Sequence, residues 1–538
     1  MPINPFSKTF KYSLLFIVIA EIFSLIGYFY SSVNLIGFIM IAVLAIILSL
    51  YNLEHGLLIL LAELFIGSMG YLFSFRFGSV SISIRIALWI IVMTAWLGKV
   101  ILEWARSVRN FHGETNSAED RLNSDSITTD LKERRLKIDF FKSKFFPYYL
   151  ILFVFIAWGF VRGILVGNAF HNLFPDFKRW IYYGLAFPVY YVIFHDRGKI
   201  REKVSNLVQV FAAAILWLGV KTFILLFIFS HGIKSSEIYH WVRDTGVGEI
   251  THFSGGFYRI FFQSHIYDLI GVFIFLLLFA YEYKLLEKTL QFNKKIIVCL
   301  LMILISFSAV LISFSRSFWV GLAGDLILFY AYLFRKKFPV KKILTATFIL
   351  AAIGLLSVGL LTVIVKFPYP KPIGGFDTTD LISERASEVT GEAAVSSRWS
   401  LLPKLMAQIE KSPILGRGYG ATVTYKSSDP RVIASYPNGE YTTYAFEWGW
   451  LDIWLKLGFL GLLAYFALFY KMIKFGLKNS DSTNESSALK IGLLLGLVAV
   501  FVVSTFSPYT NHPLGIGYII LTGAFLEGLK EEETPALA

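Results

Sequence analysis

Apolar runs of about twenty residues, each closed by a short polar stretch, recur along the chain and predict membrane-spanning helices. About fourteen can be traced: Tyr12–Tyr30, Val33–Tyr51, Gly56–Phe75, Ile82–Leu102, Pro147–Val166, Trp180–Phe194, Val204–Phe229, Gln263–Tyr283, Ile296–Phe314, Phe318–Phe334, Ile343–Val365, Leu457–Phe475, Leu489–Phe506 and Leu514–Leu529. Only helices and closed barrels satisfy the backbone in hydrocarbon, and uninterrupted apolar runs exclude a barrel. The expected fold is an all-α polytopic membrane helical bundle. Two polar segments break the pattern. They divide the chain into N-terminal helices (1–102), a flexible linker (103–146), central helices (147–365), a large loop (366–445), C-terminal helices (446–530) and an acidic tail (531–538).

Composition supports this class. Of 538 residues, 56% are hydrophobic and 16% charged, where a soluble domain carries about 25% charged. Mean hydropathy is +0.63. The net charge of +13 does not point to nucleic acid, because the basic residues sit in alternate loops. Lys8 and Lys11, the linker, Arg197 to Lys203, Lys284 to Lys295, Arg335 to Lys342, and Lys471 to Lys478 all fall on one side, which the positive-inside rule makes the cytoplasm. Both termini are then expected inside, and residues 366–445 and the smaller loop 230–262 outside. The first apolar run lacks a small-residue cleavage site and is expected to be a span, not a removable leader. Cys299, the single cysteine, lies in an apolar run, so neither a disulfide nor a thiolate metal site is expected.

On the outer side, where basic residues are the minority, five arginines stand out: Arg179, Arg259, Arg316, Arg398 and Arg417. A guanidinium fork binds phosphate bidentately and stays charged, so several of them converging at the outer face would make a diphosphate site. Each also fits the plainer role of a snorkelling or acid-paired cation. Arg316, set in Ser313-Phe314-Ser315-Arg316-Ser317-Phe318-Trp319 at the hydrocarbon boundary, is best explained by function. Gly416, Gly418 and Gly420 predict a tight turn whose amides can approach an anion, though short glycine runs most often only turn the chain. The large loop closes on Ala445-Phe446-Glu447-Trp448-Gly449-Trp450-Leu451-Asp452, which sets carboxylates beside indoles at the mouth of a span.

These residues, taken in order, resemble a family. Ser315-Arg316-Ser317 with Trp319 and Gly321, then Arg398-Trp399 through Ser412-Pro413-Ile414-Leu415-Gly416-Arg417-Gly418 to Gly420, then Leu451 through Lys456-Leu457-Gly458 to Leu462, are similar to the O-antigen ligase and O-antigen polymerase superfamily of bacterial integral membrane glycosyltransferases. The resemblance covers the C-terminal part of the chain; Arg179 and Arg259 match only loosely. Ligases of the family usually carry a His-Asn pair eleven residues before the position of Gly458, where this chain has Glu447-Trp448. That departure favours a polymerase over a ligase.

The resemblance implies transfer of glycan from a polyprenyl diphosphate carrier to a sugar hydroxyl at the outer face of the bacterial cytoplasmic membrane. The partners would be the lipid-linked donor, a glycan or lipid-glycan acceptor and the bilayer; no cofactor and no metal is expected. Arg316 and Arg398, with Arg259, Arg179 and Arg417 as further candidates, would hold the diphosphate. Glu447 would take the acceptor proton, with burial beside Trp448 and Trp450 raising its pKa, and attack from the opposite face would invert the anomeric centre. Tyr444, Trp448, Trp450 and Trp454 would stack on sugars or form the interfacial belt. Asp452 and Lys456 fit an ordinary i,i+4 pair. His512 and His265 are alternative bases, and Asp377 and Asp380 alternative metal ligands. A lipid-linked oligosaccharide flippase or another transporter is the competing class, because Glu21, Glu63, Lys221 and Asp325 lie inside apolar runs.

Overall fold

The computed structural model describes residues 5–78, 80–114, 138–233, 236–253, 257–289, 294–373, 393–428, 430–480 and 484–533. The apolar runs become helices: α1 (Lys8–Phe29), α2 (Ser31–Tyr51), α3 (Leu53–Ile66), α4 (Ile84–Glu114), α5 (Phe146–Leu165), α6 (Phe170–Phe177), α7 (Ala186–Phe194), α8 (Ile200–Ser230), α9 (Ser236–Asp244), α10 (His265–Thr289), α11 (Lys294–Ile312), α12 (Arg316–Arg335), α13 (Val340–Val365), α14 (Ala393–Glu410), α15 (Pro430–Ser435), α16 (Gly449–Lys478), α17 (Glu485–Val503) and α18 (Pro513–Glu533). Three antiparallel hairpins lie between them: β1 (Ser74–Phe77) with β2 (Val80–Ser83), β3 (Gly248–His252) with β4 (Tyr258–Phe262), and β5 (Val423–Lys426) with β6 (Glu440–Thr443).

Among the described residues, eleven helices are long and apolar enough to cross a membrane: α1, α2, α4, α5, α8, α10, α11, α12, α13, α16 and α17. The chain is an all-α polytopic membrane bundle. Of the other three expected spans, two are different objects and the third is a long but more polar helix. Gly56–Phe75 becomes α3, a 14-residue helix ended at Gly67, followed by the β1–β2 hairpin. Trp180–Phe194 is a 3-10 turn (Trp180–Leu185) leading into the nine-residue α7, buried along its length. The last, α18, has the length and reaches from the 504–512 loop to the opposite face, where Glu531 meets Arg197, but it carries Glu527 and Lys530. Such buried, short or polar helices are held by protein neighbours rather than by lipid.

Helix α10 is the centre of the bundle, packed between α11 and α17, and its residues from Ile266 to Phe279 are buried. Of the four intramembrane charges noted in the sequence, three are paired and one is not, among the described residues. Lys221 of α8 meets Glu21 of α1 at 2.6 Å. Glu63 of α3 accepts twice from Arg85 of α4, at 2.8 and 3.1 Å. A lone charge in hydrocarbon is costly, so each pair fixes two helices to each other. Asp325 of α12 is fully buried with neither carboxylate oxygen hydrogen-bonded among the described residues.

The expected linker 103–146 is shorter than its composition implied. Helix α4 runs on to Glu114, and from Asp139 the chain is packed again. Phe140 and Phe145 are fully buried, Ser143 Oγ donates to Glu527 at 2.7 Å, and Lys144 N donates to the same carboxylate at 2.6 Å. Residues 115–137 lie outside the described residues.

The helix ends sort onto two faces. One face collects Arg197 with Glu531, Arg201 with Glu485, and Lys336 on the Ser480 carbonyl. The other collects the end of α8, where Ile373 N donates to Ser230 O at 2.9 Å, with the α11–α12 turn and the β3–β4 hairpin. The large loop is itself structured on this second face, as α14, the Gly416–Gly420 turn, β5, α15 and β6.

Candidate active site

Three arginines from three distant segments converge on the second face. Arg316 is the first residue of α12, after Ser315 in extended conformation. The helix dipole therefore adds positive potential where its guanidinium begins. Arg259 sits on β4, opposite Thr251 in the hairpin register, and its Nε donates to the Ser313 carbonyl at 2.7 Å. The turn it grips contains Phe314 at φ +43°, a left-handed conformation that sharpens the α11–α12 corner. Arg398 comes from α14 in the large loop. Its pKa is brought down to about 10 by burial and by the positive charges of Arg259 and Arg316. Arg259 is lowered in turn by burial, with Arg316 adding to the effect. Cations close enough to disfavour one another's charge favour an anion among them.

Glu447 joins this group. It accepts a hydrogen bond from Arg398 Nε, which ties the start of α16 to α14. Trp448 strengthens the tie by donating Nε1 to the Arg398 carbonyl at 3.1 Å, and its ring meets Trp399 edge-on at 5.6 Å. The expected burial of Glu447 is not found. Its side chain is 52% exposed, and the indole N–H groups of Trp448 and Trp450 are engaged by the Arg398 and Phe501 carbonyls.

The aromatic residues divide. Trp399, absent from the sequence-based candidates, is 52% exposed beside Arg398 and presents a free face to solvent. Trp450 is taken up by packing: its Nε1 donates to the Phe501 carbonyl at 3.1 Å, and its ring sits among Tyr465, Phe466, Phe469 and Phe501. Trp454 likewise donates to the Pro413 carbonyl at 2.9 Å. Tyr444 lies half-buried three residues before Glu447.

The glycine turn has a structural role in place of the anion-binding one. Gly416, Gly418 and Gly420 all have positive φ, and so does Gly458, which breaks α16 from within. That break frees helix carbonyls. Arg417 N donates to Leu455 O at 2.7 Å and Gly418 N to Lys456 O at 3.1 Å. Tyr419 N donates to Gly159 O of α5, Gly420 N to the Asp176 carboxylate at 3.0 Å, and Gly416 N to Ser412 O. Every amide from 416 to 420 is thus spent on protein acceptors. A Cβ on Gly418 would lie 2.1 Å from Gly163 N. Gly418→Ala is therefore expected to cost at least about 1–3 kcal/mol from backbone strain alone, read as a lower unfolding temperature in detergent. Gly98→Ala, where a Cβ meets nothing within 4 Å, is the harmless control.

Below this turn lies a buried ionic knot. Lys456 Nζ reaches Asp176 at 2.7 Å and Asp452 at 2.6 Å, with all three side chains at most 2% exposed. Asn511 donates to the other oxygen of Asp452. The i,i+4 pair expected within α16 exists, but it is half of a junction joining α6, α16 and the 504–512 loop. From that loop Ser507 Oγ donates to Ser317 Oγ at 3.3 Å, and Tyr509 packs on Phe318. The knot is thereby wired to the residues flanking Arg316. Arg179 exerts its charge on Asp452 and on His512, so it belongs here, apart from the three-arginine cluster. Arg417 is also elsewhere, donating to Gln408 at 3.0 Å.

The alternative bases are occupied or shielded. Burial, together with Arg179 and Arg85, lowers the pKa of His512 and keeps its imidazole neutral. His265 is fully buried, its Nε2 shared with Thr222 Oγ1 at 2.9 Å and its Nδ1 accepting from Phe262 N at 3.2 Å. Asp377 and Asp380 lie outside the described residues. Of the residues expected at the site, the structure brings Arg259, Arg316, Arg398 and Glu447 near one another. Sequence reasoning missed Trp399, Asp176 and Asn511, whose only signal was polarity or aromaticity next to an apolar run.

No curated protein and no solved structure matches the chain significantly. The family model described as O-antigen ligase matches residues 301–466, an interval that holds Arg316, Arg398, the glycine turn, Glu447 and Gly458. The match covers less than half of the chain and falls on the same segments that carry the resemblance read from the sequence.

Proposed function

We propose that this protein transfers glycan from a polyprenyl diphosphate carrier to a sugar hydroxyl at the outer face of a bacterial cytoplasmic membrane, as a polymerase of surface polysaccharide, with both termini in the cytoplasm. The observation that carries the reading is the meeting of Arg259, Arg316 and Arg398 with Glu447. A sugar diphosphate already has a good leaving group. It needs cations for the charge that grows on departure, a proton acceptor, and alignment.

In this mechanism Arg259, Arg316 and Arg398 hold the diphosphate without a metal. Arg398 leaves Glu447 for the phosphate oxygens, a stronger bidentate partner, and frees the carboxylate. The acceptor oxygen then bonds to the anomeric carbon as the bond from that carbon to the diphosphate oxygen breaks. The electron pair goes to the diphosphate, and the acceptor proton goes to Glu447. In-line attack inverts the anomeric centre. Trp448 and Tyr444, with Trp399, would border the acceptor sugar. Glu447-Trp448, in place of the ligase His-Asn pair, supports the polymerase assignment.

Two results test it. Glu447→Gln is expected to lower glycan product by about two to four orders of magnitude while binding of the diphosphate donor survives. Full activity in that variant would remove Glu447 from the mechanism. The second is pH dependence. Because burial and its neighbours bring Arg398 down to about 10, its cation is present below that pH and lost above it. Donor affinity measured on the purified protein should hold through neutral pH and fall as pH rises past about 10. Arg398→Lys should change that profile, and a flat profile in both proteins would contradict the role.

A further inference from the structure

A cavity of about 1080 Å³ opens at the membrane face opposite the arginines. It is bordered by the N-terminal turns of α8, whose other end lies near the outer loops. Its walls are of two kinds. Ile46 and Leu50 of α2 and Ile90 and Leu102 of α4 line it and are exposed, on two helices long and apolar enough to cross a membrane, which gives it an apolar wall suited to acyl chains. The rim is ionic and balanced in sign. Lys99, Arg106, Lys199 and Lys203 supply positive charge; Glu54, Glu103, Asp196 and Glu202 supply negative. Lys203 is only 8% exposed, and its ammonium, which has three donors, gives one hydrogen bond, to the Asp196 carbonyl at 3.4 Å.

A ligand of one sign would be attracted by half of this rim and repelled by the other half. A zwitterion uses both. A primary ammonium donates hydrogen bonds to carboxylates, and a quaternary one has none to give. We propose that the cavity binds a phospholipid with a phosphoethanolamine headgroup. The phosphate lies toward Lys203 and Lys99, the ammonium toward Glu202, and the acyl chains run out along Ile46 and Leu50.

Native mass spectrometry of the full chain in detergent, with phosphatidylethanolamine, phosphatidylcholine or phosphatidylglycerol of matched acyl chains, or phosphoethanolamine alone, tests this. Phosphatidylethanolamine should be retained about tenfold over the other two lipids, the worth of one charge-assisted contact set. Gly98 lines the cavity, and a Cβ there meets nothing within 4 Å, so Gly98→Trp should obstruct the space beside Lys99, keep the fold and abolish the preference, while Gly98→Ala retains it. Glu202→Gln, at an exposed position, should reduce the discrimination against phosphatidylcholine alone. Equal retention of the three lipids would overturn the proposal. So would a preference that survives Gly98→Trp in folded protein, or phosphoethanolamine binding as tightly as the lipid.

Discussion

Arg316→Lys is expected to lower turnover by about two to three orders of magnitude, the usual consequence of removing one preorganised charge donor from a developing oxyanion. Lysine keeps the charge, but as a point on a flexible stem, and loses the planar fork that spans two phosphate oxygens. The backbone that carries Arg316 is held in place: it opens α12, its neighbours Ser315 and Ser317 share a hydrogen bond at 3.0 Å, and Arg259 pins the preceding turn. The loss should therefore appear in kcat more than in KM, since the charge matters most as the diphosphate departs. Initial rates of glycan elongation on purified lipid-linked donor give the measurement. A kcat within a factor of about three of wild type would show that Arg316 binds ground state and transition state alike.

Lys456→Met should be the most destabilising single change in the outer half of the bundle, by about 3–5 kcal/mol. It leaves Asp176 and Asp452 facing each other, both essentially inaccessible to water. Uptake of one proton can soften the cost, so the deficit should be largest at alkaline pH. The triple change Asp176→Asn, Lys456→Met, Asp452→Asn removes both stranded charges and should recover most of the stability. Thermal unfolding in detergent reads both proteins. The knot also holds the 504–512 loop beside Ser317 and Phe318, so Lys456→Met should reduce activity at temperatures where the protein is still folded. An unfolding temperature unchanged by Lys456→Met would mean that the junction contributes nothing.

The helical class and most of the spans were legible because twenty apolar residues in a row have only one solution in lipid. The exceptions share a cause. Gly56–Phe75 and Trp180–Phe194 are as apolar as a span because they face protein on all sides, and hydropathy does not distinguish protein from lipid as apolar surroundings. The arginines were legible as a set, since cations on the outer face contradict the charge bias of the loops. Which of them meet was not, because Arg259, Arg316 and Arg398 are brought together by a hairpin, a helix start and a loop helix whose packing no local pattern records. The glycine turn shows the same limit. Its spacing fits an anion nest, yet the decisive partner is the broken helix at Gly458, about forty residues away. Asp176, some 280 positions from Lys456 in the chain, could be placed only by the fold.

The most direct test is conversion of a purified polyprenyl-diphosphate glycan by the purified chain in lipid vesicles, with a divalent-metal chelator present and no ion gradient. The account predicts one polyprenyl diphosphate released for each glycosidic bond formed, undiminished by chelator, and lost in Arg316→Ala and Glu447→Gln proteins that unfold at the wild-type temperature. Product formed at the wild-type rate by either variant, or activity that chelator abolishes and added metal restores, would contradict it.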